Sequence, residues 1–64
     1  MRFREVLKAN TEWSELVVLD GERIRTFDEM AQYGRYLENY VDDYGDTEVE
    51  KYINDGDTLV IMFS

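Results

Sequence analysis

Asn54-Asp55-Gly56-Asp57-Thr58-Leu59-Val60-Ile61-Met62-Phe63 is the stretch whose reading decides the fold. Five consecutive apolar residues, Leu59 to Phe63, follow a Gly-containing turn and read as the strongest strand of the chain. Continuous apolarity, in place of alternation, assigns Thr58–Phe63 a central position covered on both sides. A central strand needs a neighbour on each edge. Immediately upstream, two readings compete. Val49, Tyr52 and Ile53 fit helical spacing, with Thr47 and Glu50 as a capping box. Alternatively Glu48–Ile53 is a strand and Asn54-Asp55-Gly56-Asp57 the turn of a hairpin. The hairpin is preferred because it supplies one neighbour directly.

Working outward, Glu15–Leu19 is aliphatic and β-branched, Asp20-Gly21 is a turn signal, and Glu22–Thr26 returns as a second strand. A two-residue Asp20-Gly21 turn sets Leu19 opposite Glu22, Val18 opposite Arg23 and Val17 opposite Ile24. Trp13, Val17, Leu19 and Ile24 then share one face. Arg23 and Arg25 fall on the other, with Leu16 and Val18, so that face is not wholly wet either. Ahead of this hairpin, Phe3, Val6 and Leu7 recur at helical spacing and predict two turns of helix ending near Ala9-Asn10, with an N-terminal strand as the alternative.

Between the hairpins, Thr26-Phe27-Asp28-Glu29 reads as a capping box opening a helix from Phe27 to about Val41. Phe27, Met30, Gly34, Leu37 and Val41 form its core face. Gly34 costs helix propensity, so a close approach to the sheet is expected there. Tyr33, Tyr36 and Tyr40 lie on the border of that face, and Tyr44 follows near the Gly45 terminator. Asp42 and Asp43 occupy the last turn, the unfavourable end of the helix dipole. Helix stability does not ask for acids there.

At 64 residues the chain is one domain, burying only about 60% of the surface of its extended form. With no Cys and no His, disulfides, thiolate zinc sites and imidazole ligands are all absent. The same absence excludes Ser–His–Asp and Cys–His catalysis, and a sugar-sized cleft between paired carboxylates would consume the core. The expectation is a non-enzyme with no cofactor. Asp42, Asp43 and Asp46, like Asn54, Asp55 and Asp57, miss the calcium-loop pattern and read as solvated turn acids. No signal peptide or membrane-length apolar run is seen, which makes cytoplasmic residence the default.

Charge is divided unevenly. The formal net charge is -8, and eight of the nine charged side chains from Tyr36 onward are negative. Direct nucleic-acid binding through Arg2, Arg4, Lys8, Arg23 and Arg25 would work against that balance. Tyr gives stiff contact area with a polar tip, and carboxylates beside it steer a basic partner. Tyr36, Tyr40, Asp43, Tyr44 and Asp46 are therefore the candidate partner-binding residues. The expected partner is a basic protein surface, such as the groove of a nucleic-acid-binding enzyme or repressor, which the acids would occupy by imitating nucleic-acid charge. The alternative is a self-associating structural or accessory protein with an aromatic homo-oligomer interface.

A short helix, an apolar strand, a Gly turn, Tyr44-Gly45-Asp46 followed by Glu48-Val49, and the closing Asn54-Asp55-Gly56-Asp57 turn before Leu59-Val60-Ile61 form a further pattern. It resembles small, largely uncharacterised proteins encoded by Gram-positive bacteria and their phages or mobile elements. The resemblance implies a closing β-hairpin and, from the habits of small phage proteins, inhibition of a host enzyme or defence system. The fold expected overall is α+β: a small, mostly antiparallel single-layer sheet against one main helix, in the order α-β-β-α-β-β.

Overall fold

In a computed structural model, which describes the backbone of residues 1–64 and every side chain except those of Gln32 and Tyr33, the closing strand is central. The chain runs α1 (Phe3–Ala9), β1 (Glu15–Asp20), β2 (Arg23–Asp28), a 3-10 segment (Glu29–Tyr33), α2 (Arg35–Tyr44), β3 (Val49–Asp55) and β4 (Thr58–Phe63). The four strands form one sheet in the order β2-β1-β4-β3. Both hairpins are antiparallel, and the central β1–β4 pair is parallel. Residues 49–55 are strand, with an irregularity between Val49 and Lys51 that leaves Glu50 out of the ladder.

Both hairpins turn by the same device. Asp20 pairs with Arg23 across Gly21-Glu22, and Asp55 pairs with Thr58 across Gly56-Asp57. Gly21 and Gly56 have φ of 60° and 62°, the Gly-first pattern of a two-residue II′ turn. No neighbouring atom crowds a side chain at either site, so backbone conformation alone demands glycine there.

This corrects the expected register of the first hairpin. The turn is Gly21-Glu22 rather than Asp20-Gly21, so Leu19 pairs with Ile24, Val18 with Arg25 and Leu16 with Phe27. A slip of two residues keeps each side chain on its own face. What changes is which face is buried. Leu16 and Val18 are fully buried, while Val17 and Leu19 are only partly covered and Ile24 is 68% exposed. Trp13 leaves that group and lies in the core. Phe27 decides the matter: as a strand residue opposite Leu16 it adds an aromatic ring to the Leu16–Val18 face, which β4 continues with Leu59 and Ile61.

The predicted Phe27–Val41 helix is likewise divided. β1 holds β2 in the ladder as far as Glu15↔Asp28, so Thr26 and Phe27 cannot turn into a helix. Asp28 then caps instead of Thr26, its carboxylate accepting from the Ala31 amide at 3.2 Å. The 3-10 segment ends at Gly34, which is extended and stands at the N-cap of α2. Among the described residues, a side chain on Gly34 would meet only the Met30 carbonyl, at 3.8 Å, and none of the sheet. Met30, expected in the core, is 69% exposed.

The two helices share one side of the sheet. Phe3 of α1 sets its ring edge-on to Phe63 of β4 at 5.2 Å and to Tyr40 of α2 at 5.7 Å. Phe3, Val6, Trp13, Leu37 and the inward residues of the sheet make a single core. The helices also satisfy each other's ends. The Phe3 and Arg4 amides, orphaned at the start of α1, donate to the carbonyls of Thr47 and Gly45 beyond α2, both at 2.9 Å. At the other end of α1, Asn10 donates to the Val6 carbonyl and accepts from the Asn54 amide group of β3.

On the far side of the sheet, cross-strand rows can be read directly from the register. One row is Ile24-Leu19-Met62-Lys51 and the next is Thr26-Val17-Val60-Ile53. A third, Asp28-Glu15-Thr58-Asp55, closes one end. Among the described residues, none covers this side: Ile24 and Ile53 are exposed, and Val17, Leu19, Val60 and Met62 partly so.

Candidate functional site

α2 is helical through Tyr44, so Tyr36, Tyr40 and Tyr44, at i and i+4, fall along one strip. They differ in what they touch. Tyr40 is enclosed on three sides, with Phe3 at 5.7 Å, Phe27 at 5.3 Å and Tyr44 at 4.7 Å between ring centroids. Tyr36 leans on Phe27 at 6.3 Å and is otherwise 73% exposed. Tyr44 is half-buried beside Tyr40. The strip is thus an aromatic stack that enters the core at Tyr40 and emerges at Tyr36.

Four of the five predicted residues line one depression. Tyr36, Tyr40, Asp43 and Tyr44 border it, with Asn39 and Arg25 completing the wall around about 240 Å³. A wider, shallower hollow of about 510 Å³ lies on the other side of Tyr36, lined in part by Phe27, Met30, Ala31 and Arg35. Tyr36 borders both. Asp46 lies elsewhere: its carboxylate meets the Arg4 Nε at 3.3 Å and Arg2 Nη1 at 3.8 Å, fastening α1 to the segment after α2. The Tyr33 side chain, assigned by spacing to the same border, is outside those the structure describes.

Arg25 belongs to the site, although its sequence pattern grouped it with a separate basic patch. Its guanidinium carbon stands 5.9 Å from the Tyr40 ring centroid, within cation–π range. The signal that could have found it was register: opposite Val18, Arg25 must point to the helix side. Met30 and the hollow beside it were hidden by the continuous-helix reading.

Burial pushes the Tyr40 hydroxyl above its ordinary ionisation range, aided by the negative charge of Asp20 and by Tyr44, with Arg25 opposing. The phenol is neutral at physiological pH, as an unshifted tyrosine would also be. Because its folded-state value is raised, its contribution to stability is intact below the ordinary tyrosine range near 10 and is lost as pH climbs through the raised value. Stability should fall above about pH 10, and Tyr40→Phe should flatten that fall while leaving neutral-pH stability within about 1 kcal/mol of wild type. Urea unfolding across the alkaline range measures both.

Among the described residues, no group of three acidic side chains is placed to hold a metal ion, and no helix is long and apolar enough to cross a membrane. Comparison with protein-family models, curated proteins and solved structures finds no match to this chain.

Proposed function

We propose that this chain is a non-enzymatic binding module whose α2 edge meets a basic protein surface. The observation that carries the reading is Tyr36, a large ring 73% exposed, standing between two adjoining depressions and backed by a stack that holds it in place. Interface anchors are commonly stiff aromatic side chains of this kind. Arg25 and Asp43 both line the depression and offset each other, so attraction for a basic partner comes from the acids around it, which act mainly on the rate of encounter. With the net charge of -8, this suits a partner with a basic groove, such as a nucleic-acid-binding enzyme or repressor. Inhibition by charge imitation is the corresponding mode of action.

Tyr36→Ala should weaken partner binding at least tenfold without altering the unfolding midpoint, since the side chain contributes little to the core. The test is retention of proteins from a lysate of the source cell on immobilised wild type and on the variant, at low and high salt. Retention by wild type that fades with salt and is lost in Tyr36→Ala supports the reading. Equal retention by both removes it.

A second reading, self-association, rests on a different surface. The sheet face away from the helices keeps apolar side chains where a solvated face would alternate to polar ones.

A further inference from the structure

We infer that the open face of the sheet is closed by a second copy of this chain, packed sheet against sheet. The two central strands carry the argument. β1 reads Leu16-Val17-Val18-Leu19 and β4 reads Leu59-Val60-Ile61-Met62-Phe63, apolar on both faces, as in sheets covered on both sides. The helices cover Leu16, Val18, Leu59, Ile61 and Phe63. Val17, Leu19, Val60 and Met62 are left partly exposed, flanked by Ile24 at 68% and Ile53 at 52% exposure.

Charge selects the occupant. The chain has fifteen acidic side chains; the rows hold three of them, Glu15, Asp28 and Asp55, together at one end, and one basic side chain, Lys51, on the β3 edge. A basic partner finds its attraction elsewhere on the molecule. A mainly apolar surface of equal size, its charges kept to one end and one edge, is what this face matches, and the chain itself supplies one.

Symmetry then fits. A two-fold axis along the strands reverses their order, laying β2-β1-β4-β3 over β3-β4-β1-β2. Leu19 meets Met62 of the second copy, Val17 meets Val60, Ile24 meets the aliphatic stem of Lys51 and Thr26 meets Ile53. Such contacts are isologous and close the assembly at two. The acidic row stays at one rim of the contact, with Asp28 of each copy toward Asp55 of the other, a repulsion that salt relieves. Four strands of about six residues span roughly 20 Å by 20 Å. That patch is at the low end of specific interface sizes and fits a dimer that forms with rising concentration.

Because each copy carries a net charge of -8, salt should strengthen this dimer by screening repulsion and favouring apolar burial. Binding at the α2 edge should respond in the opposite sense, so the two surfaces can fail separately.

Sedimentation velocity of the full chain from about 5 µM to about 500 µM, at low and high salt, is the test. The expected result is a monomer–dimer equilibrium that tightens with salt. Met62→Lys should raise its dissociation constant at least tenfold. Ile24→Glu, at an already exposed position that the fold does not depend on, should raise it at least threefold. Tyr36→Ala should leave it unchanged. A chain that remains monomeric at the highest concentration at both salts overturns the inference, as does a dimer indifferent to Ile24→Glu. A dimer broken by Tyr36→Ala also overturns it, and places the self-interface on the aromatic edge instead.

Discussion

Phe3→Ala should cost about 3–5 kcal/mol, the range for deleting a buried aromatic ring. Stability per residue in native proteins implies roughly 3–10 kcal/mol for a chain of this length, so the variant should be largely unfolded or close to it at 25 °C. The reason is position as well as size. Phe3 is fully buried and its ring touches Phe63 and Tyr40, tying α1 to the central strand and to α2 at once. Removing it opens a cavity bordered by three elements, and α1 cannot move in to fill it without disturbing the amide contacts of Phe3 and Arg4 to Thr47 and Gly45. Urea unfolding followed by far-UV circular dichroism measures the loss. Phe3→Leu, which keeps most of the volume, should lose clearly less. A cost below about 1 kcal/mol for Phe3→Ala would mean that α1 is not part of the core.

Leu37→Ala should cost about 2–4 kcal/mol. Leu37 is the buried residue of α2, at 8% exposure, and Tyr40, Val41 and Tyr44 of that helix pack against the core while partly exposed. The variant should therefore release α2 from the sheet and, with it, the platform for Tyr36. Its signature differs from that of Phe3→Ala: because the four-stranded sheet keeps its own pairing, local exchange of α2 amides should rise more than exchange in β1 and β4. Hydrogen exchange resolves the two cases, and uniform loss of protection would contradict the assignment.

How much of this was legible in sequence varies by element, for physical reasons. β4 was plain because five apolar residues after a Gly turn admit few other readings, and its central place followed from their two-sided character. The α+β class and the element order followed from the two Gly turns with a helical pattern between them. The hairpin register was misplaced by two because Asp-Gly can fill the turn itself or precede it, and the choice rests on which residue takes positive φ. The long helix was over-read because Thr26–Glu29 and Asp28–Ala31 are competing caps, and only pairing with β1 decides between them. Leu37 was found correctly, since α2 preserves the helical spacing around it. Of the candidate site, the i, i+4 tyrosines with Asp43 were visible in spacing, but Arg25 arrives from a strand and Asp46 is taken by Arg2 and Arg4. Contacts between distant segments leave no periodic signal.

The central claim is that Tyr36 anchors a partner on the α2 edge, and calorimetric titration of folded wild type and folded Tyr36→Ala against the partner retained at low salt tests it most directly. The account predicts an affinity at least tenfold weaker for Tyr36→Ala, equivalent to about 1.4 kcal/mol or more, with a wild-type affinity that declines as salt rises. Equal affinity for the two proteins, or a wild-type affinity that salt leaves unchanged, would contradict it.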